Sequence, residues 1–132
     1  MVSANQASEL QLTGRLLVVD DDHAVADMIV DFFGDQGLDV VAAHDGGQAL
    51  RLAQDIPPDV VLLDITMPDM SGVQVLQQLR LRWPDLRVIM VSGISDEDLA
   101  RGTLQRGAFD YIAKPFQWDR LQECVVAALS HG

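Results

Sequence analysis

The strongest constraint on this chain is an alternation. Five short aliphatic runs are separated by amphipathic segments, with no internal repeat or low-complexity tract: RLLVV from Arg15, LDVVAA from Leu38, DVVLLD from Asp59, LRVIMV from Leu86 and FDYIA from Phe109. Each run is too short for a buried helix, and together they are rich in Val and Ile, the mark of strands covered on both faces. Five strands alternating with five helices pair in parallel through right-handed crossovers, which puts helices on both faces of an α/β sheet.

The helices are read from period and punctuation. Val25, Met28, Ile29, Phe32 and Phe33 fall on one helical face, and Gly37 marks a stop. A second helix starts at Asp45 with Gln48 as its capping-box partner, turns Ala49, Leu52, Ala53 and Ile56 inward, and ends at Pro57 and Pro58. Ser71 opens a third, buried through Val73, Leu76 and Leu79 and closed by Pro84. Ser95 caps a fourth, from about Asp96 to Arg106, whose interior Gly102 costs about 1 kcal/mol relative to Ala and makes it the weakest. The fifth runs from about Gln117 to Ser130, with Leu121, Cys124, Val125, Ala128 and Leu129 on one face.

Composition narrows the class. The chain has 132 residues, enough for one core without disulfide or metal staples, and residues 15–130 form that domain behind a flexible tail over 1–14. Nine basic against twenty acidic residues give a net charge of -11, which repels phosphate backbones and argues against direct nucleic-acid binding and against an anionic membrane surface. The one cysteine, Cys124, has no internal partner, and nothing basic in LQECVV activates it, so it reads as a small buried hydrophobe. The N-terminus lacks a signal-peptide pattern and no apolar run approaches the roughly 20 residues of a membrane span, which fits a cytoplasmic protein.

In a doubly wound sheet, ligands bind beyond the carboxyl ends of the strands. Asp20 and Asp21 follow the first strand here, His44 the second, Asp64 ends the third, Ser92 follows the fourth and Lys114 the fifth. Three carboxylates brought together repel, so they take up protons or a divalent cation, and hard oxygen donors favour Mg2+, with Mn2+ as a substitute. Lys114 adds a second cation and Ser92 a hydroxyl. Such a site suits a phosphoryl group carried on a carboxylate, and Asp64, before the loop ITMPDMSG, is the best acceptor.

VVDDD, PDVVLLDITMPDMSG, VIMVSG and FDYIAKPF stand in an order and spacing that resemble the motifs of response-regulator receiver domains, from about Arg15 to Ser130. The resemblance implies a flavodoxin-like sheet in the order 2-1-3-4-5. It also implies Asp64 as phosphoacceptor, Asp21 as direct metal ligand, Asp20 as an acid acting largely through water on the metal, and Thr66 lending its backbone carbonyl. Ser92 resembles the hydroxyl residue that turns toward the phosphoryl group, Lys114 the bridging lysine and Tyr111 the aromatic switch, with a cis bond before Pro115. Thr66 and Ile94 flank the approach of a hydrolytic water, so slow phosphate loss is expected, speeding severalfold in Ile94→Glu.

The expected function is a signalling switch phosphorylated by a sensor histidine kinase or phosphotransfer protein and passing its state to a downstream protein or fused output domain. It would be no turnover enzyme beyond its own phosphorylation and slow dephosphorylation. Dimerisation through the fourth and fifth helices stays open, with no residue pointing to it. Two rivals are a receiver-like binding module that is never phosphorylated and a dehalogenase-like phosphohydrolase. The first usually lacks an acid, the hydroxyl or the lysine. The second usually carries its nucleophile after the first strand and needs more chain for a substrate cap. Among neighbouring residues, Asp22 reads as a helix cap, His23 as exposed and His44 as having no identifiable partner. Trp118, off the buried face of its helix, reads either as an exposed partner contact or as packed on its own or the fourth helix.

Overall fold

The computed structural model describes residues 11–130. Strands β1 (Arg15–Val19), β2 (Asp39–Ala43), β3 (Val60–Asp64), β4 (Arg87–Ser92) and β5 (Asp110–Ala113) form one sheet in the order β2-β1-β3-β4-β5. Every pairing is parallel, with Leu17 opposite Val41 and Val61, Leu63 opposite Met90, and Val91 opposite Ile112. The helices are α1 (His23–Gly34), α2 (Gly46–Asp55), α3 (Gly72–Arg82), α4 (Glu97–Thr103) and α5 (Trp118–Ser130).

Strand side chains alternate between two cores, as the pleat demands. Leu17, Val19, Val61, Leu63, Val88 and Met90 pack under α2, α3 and Ala100 of α4. Leu16, Val18, Val60, Leu62, Ile89, Val91 and Ile112 pack under α1 and α5. Among the described residues, no helix is long and apolar enough to cross a membrane. Of the expected N-terminal tail, residues 1–10 lie outside the described residues, while the Leu12 amide donates to Gln36 O at 2.7 Å.

Several local expectations change. On α1 the buried residues are Ala26, Ile29 and Phe33, while Met28 is 54% exposed; the stripe is centred on small Ala26, which hydrophobicity alone undervalues. Ile56 is 52% exposed because α2 has already ended there and its backbone is extended, so helical spacing no longer applies. On α3 it is Val75 beside Leu76 and Leu79 that is fully buried, and Val73 only partly. The capping box is made by Ser71 and Gln74, whereas Gln48 reaches past its own cap to accept from the His44 amide at 2.9 Å.

The fourth helix departs most. Its α-helical part is seven residues long, between 3-10 turns at Ile94–Asp96 and Leu104–Arg106, and Asp96 rather than Ser95 precedes it. It is the shortest of the five helices, in line with the cost of Gly102.

Two glycines are required by the backbone. Gly37 turns the chain out of α1 at φ +104, a region side chains disfavour. A Cβ on Gly72 would stand 2.2 Å from the Asp64 carbonyl oxygen, so only glycine lets the start of α3 lie against the end of β3.

Candidate functional site

The parallel ladder continues past the strand ends and fixes the loops that carry polar side chains. Asp20 N donates to Ala43 O at 3.0 Å, Ile65 N to Val91 O at 3.0 Å and Lys114 N to Ser92 O at 2.7 Å. The carboxyl ends of β1, β3, β4 and β5 thereby form one edge, and the polar side chains predicted for that edge lie there.

Carboxylate oxygens of Asp20, Asp21 and Asp64 lie within 4.8 Å of one another. Asp20 and Asp64 are buried and Asp21 is exposed. Lys114 reaches in from β5, with Nζ donating to Asp20 Oδ2 at 2.8 Å and to Asp64 Oδ2 at 3.4 Å. Three hard oxygen donors beside an ammonium suit a small divalent cation and an anionic group facing it.

Burial is the largest influence on Asp64, followed by the attraction of Lys114 and the repulsion of Asp20, and its carboxyl is pushed up to about 6. Burial alone would lower the Lys114 ammonium, but its hydrogen bond to Asp20 and the charges of Asp64 and Asp20 prevail and hold it above its ordinary value. Asp64 also accepts weakly from Thr66 N at 3.4 Å.

Ser92, fully buried at the end of β4, has no partner for its hydroxyl within hydrogen-bonding distance among the described residues. A buried hydroxyl without a partner costs stability, so this one is conspicuous at an edge of acids. Tyr111 is half-buried on β5 under α4, close enough to Arg101 of that helix to hold its guanidinium above the ordinary value. The Lys114–Pro115 bond is cis, as expected. Thr66 is exposed, and its hydroxyl donates to Asp96 Oδ2 at 2.7 Å. Ile94 opens the 3-10 turn beyond β4, and its side chain lies outside the described residues.

Asp22 is the cap it was expected to be, accepting from Ala24 N and Val25 N at 3.0 and 3.2 Å. His44, for which the sequence suggested no partner, stacks on His23 with ring centroids 3.6 Å apart and 9° between planes. The Nδ1 of its ring lies 3.1 Å from the backbone oxygen of Asp20. Asp69 was also missed: its two oxygens accept from Gly46 N and Gly47 N at 3.0 Å, tying the loop after β3 to the start of α2 and lowering its own pKa. The contacts of His44 and Asp69 join residues about twenty positions apart in sequence, where motif reading has no signal.

Trp118 does not stand free. It is half-buried, with its ring 4.7 Å from that of Phe32 on α1 and edge-on to Phe116 at 5.3 Å. Packing thus prevails over exposure, against α1 and not the fourth helix, because β1 and β3 place α1 and α5 side by side on the same face. Together with Val25, Met28 and Lys114 it lines an open groove of about 650 Å3 beside the acids. Cys124 is buried as expected, but it has polar company: Arg120 Nη1 lies 2.8 Å from its sulfur and Asp110 Oδ2 3.3 Å. Burial, then Asp110, pushes its thiol up to about 12, so it is inert.

Comparison with known proteins follows the same geometry. Residues 16–126 match the family described as the response regulator receiver domain. The chain is similar to the chemotaxis protein CheY of Listeria monocytogenes, 38% identical over 86% of this chain and 97% of that protein. It is also similar to the regulatory protein AtoC of Escherichia coli, 41% identical over 87% of this chain but only 25% of AtoC. The crystal structure of the receiver domain of NtrX from Brucella abortus superposes with a TM-score of 0.85 at 34% identity, covering 89% of this chain and 99% of that one. The chain therefore spans nearly the whole of CheY and about a quarter of AtoC.

Proposed function

The chain belongs to the receiver-domain family of response regulators, and on that premise we propose that it is a phosphorylation-dependent switch whose acceptor is Asp64. Receiver domains are signalling switches rather than turnover enzymes. The observation that carries the reading is the convergence of Asp20, Asp21, Asp64 and Lys114 at the sheet edge where Ser92 keeps a buried hydroxyl without a partner among the described residues.

Asp20, Asp21 and Asp64 would hold Mg2+, with the Thr66 carbonyl as a further donor, and the bound ion would supply positive charge against the phosphoryl oxygens. A carboxylate oxygen of Asp64 attacks phosphorus in line while the bond from phosphorus to the histidine nitrogen of a sensor kinase or phosphotransfer protein breaks, leaving the electron pair on that nitrogen. Lys114 neutralises charge on the acceptor side before and after transfer. Ser92 then finds in a phosphoryl oxygen the acceptor it otherwise lacks. Tyr111, which lies near Arg101 of α4, follows inward, and the move loosens β5 from α4. That shifts a two-state equilibrium at the face of α4, β5 and α5, which a downstream protein or fused output domain reads.

Hydrolysis is expected to be slow, and the Thr66 hydroxyl, already engaged by Asp96, is poorly placed to orient a water. The reading puts the protein in the cytoplasm. Incubation with acetyl phosphate and Mg2+, read by intact-protein mass, should add one phosphoryl group to the wild type and none to Asp64→Asn. Unchanged mass in the wild type would favour the never-phosphorylated binding module instead.

A further inference from the structure

We propose that His44 is a positioning residue for the acid pair, acting through the peptide unit that joins Asp20 to Asp21. This rests on the reading of Asp20, Asp21 and Asp64 as a divalent-cation site. The oxygen that meets the His44 ring at 3.1 Å is the carbonyl of Asp20, and that carbonyl lies in the plane from which the Asp21 Cα departs. Whatever fixes this oxygen fixes the direction in which both acids are presented.

The other polar atoms of Asp20 are already committed. Its amide donates to Ala43 O, Oδ1 accepts from Asp22 N at 2.9 Å and Oδ2 accepts from Lys114. The carbonyl is the remaining group, and the residue is 3% exposed, so an unpaired oxygen there carries a desolvation penalty. A carbonyl can only accept, which requires the proton on Nδ1 of His44.

The ring is held to that task from two sides. Its own backbone amide donates to Gln48 Oε1 on α2, and its face stacks on His23 at the first position of α1. His44 thus links the starts of α1 and α2 across the end of the β1–β2 pair and presents one donor to the turn carrying the acids. Asp21, exposed and next in the chain, depends on that turn for its direction toward Asp20 and Asp64.

Two substitutions separate the hydrogen bond from the packing. His44→Phe keeps a flat ring for His23 and removes the donor; His44→Asn places an amide N–H near the former Nδ1 and gives up the stack. Mg2+ dissociation constants of the unphosphorylated proteins are measured by calorimetry, with urea midpoints in EDTA alongside. His44→Phe should bind Mg2+ about fivefold more weakly, the size expected for one hydrogen bond, with a midpoint in EDTA lowered by the unpaired Asp20 carbonyl. His44→Asn should return to within about twofold of the wild type. Saturating Mg2+ should restore the acetyl phosphate reaction of His44→Phe. Wild-type affinity in His44→Phe, or equal weakening in both variants, would overturn the proposal. A wild type that binds no Mg2+, or an Asp64→Asn protein that binds it unchanged, would instead overturn the cation-site reading beneath it.

Discussion

On the β1 side of the acidic edge every polar atom of Asp20 has a partner, whereas on the β4 side the Ser92 hydroxyl has none among the described residues. The helices that follow differ in the same sense. Asp22 caps the twelve-residue α1 from an extended backbone at φ -82, ψ 103, and its side chain accepts two helix amides. Asp96 precedes the seven-residue α4 at φ -108, ψ 8, and its side chain makes no cap bond, while its Oδ2 accepts from the Thr66 hydroxyl. Asp45 and Ser71, which cap α2 and α3, are extended and bonded like Asp22. One half of the site is therefore preorganised for fixed charge. The other half keeps groups in reserve, and a helix held by fewer local bonds is the cheaper one to move.

The largest test of this contrast is removal of the cation that reaches from β5 to the acids of the stiff side. Lys114→Met leaves Asp20 and Asp64 buried and facing each other, which should cost about 3 kcal/mol of stability at pH 8 in EDTA, read by urea denaturation. Mg2+ should recover most of the loss, since a cation then sits among the same carboxylates. A loss unaffected by Mg2+ would mean that Lys114 acts by packing.

Next comes the pH dependence of Asp64. Its carboxyl is near 6 when folded against 3.8 ordinarily, so the folded chain holds that proton more tightly. The favourable contribution is present below about pH 4 and is lost as pH rises through 6. Without metal, Asp64→Asn should be more stable than the wild type at pH 7.5, and the gap should close toward pH 4. Urea midpoints across that range that run parallel would contradict the dominance of burial.

On the loose side both substitutions should stabilise the resting protein. Ser92→Ala deletes a buried hydroxyl with no protein partner and should stabilise the resting protein by about 1 kcal/mol in thermal or urea unfolding. The same change should blunt any phosphorylation-dependent spectral change at β5 and α4. Gly102→Ala, where a Cβ meets nothing within 4 Å, should add about 0.5–1 kcal/mol by favouring the helix. If hydrogen exchange of residues 97–103 slows in that variant and the phosphorylated state becomes harder to reach, α4 is the moving element.

Much of the fold was legible because its signals are local. Val and Ile runs of strand length, the Asp22 cap and the weakening Gly102 each act within a few residues of themselves. The site was legible at the strand ends for a related reason: parallel crossovers send all carboxyl ends to one edge, so Asp20, Asp64, Ser92 and Lys114 could be grouped once the alternation was seen. Contacts made sideways between loops were not legible. Thr66 meets Asp96 thirty residues away, and His44 meets the Asp20 carbonyl from the neighbouring strand twenty-four away. The exposure of Met28 and the α1 partner of Trp118 were missed for a similar reason, since each borders a groove between α1 and α5 that neither helix defines alone.

By itself the sequence determined five strand-and-helix units, a parallel sheet and which polar side chains stand at its functional edge, since hydrophobic period and punctuation act at short range. The tertiary structure decided how those side chains meet. Only the order β2-β1-β3-β4-β5 puts the ends of β1 and β4 on either side of β3, so that Asp64 stands among Asp20, Asp21 and Lys114, and only the shared face of α1 and α5 buries Trp118. Distances of a few ångströms between residues tens of positions apart are set by strand order, register and packing, which no local pattern carries.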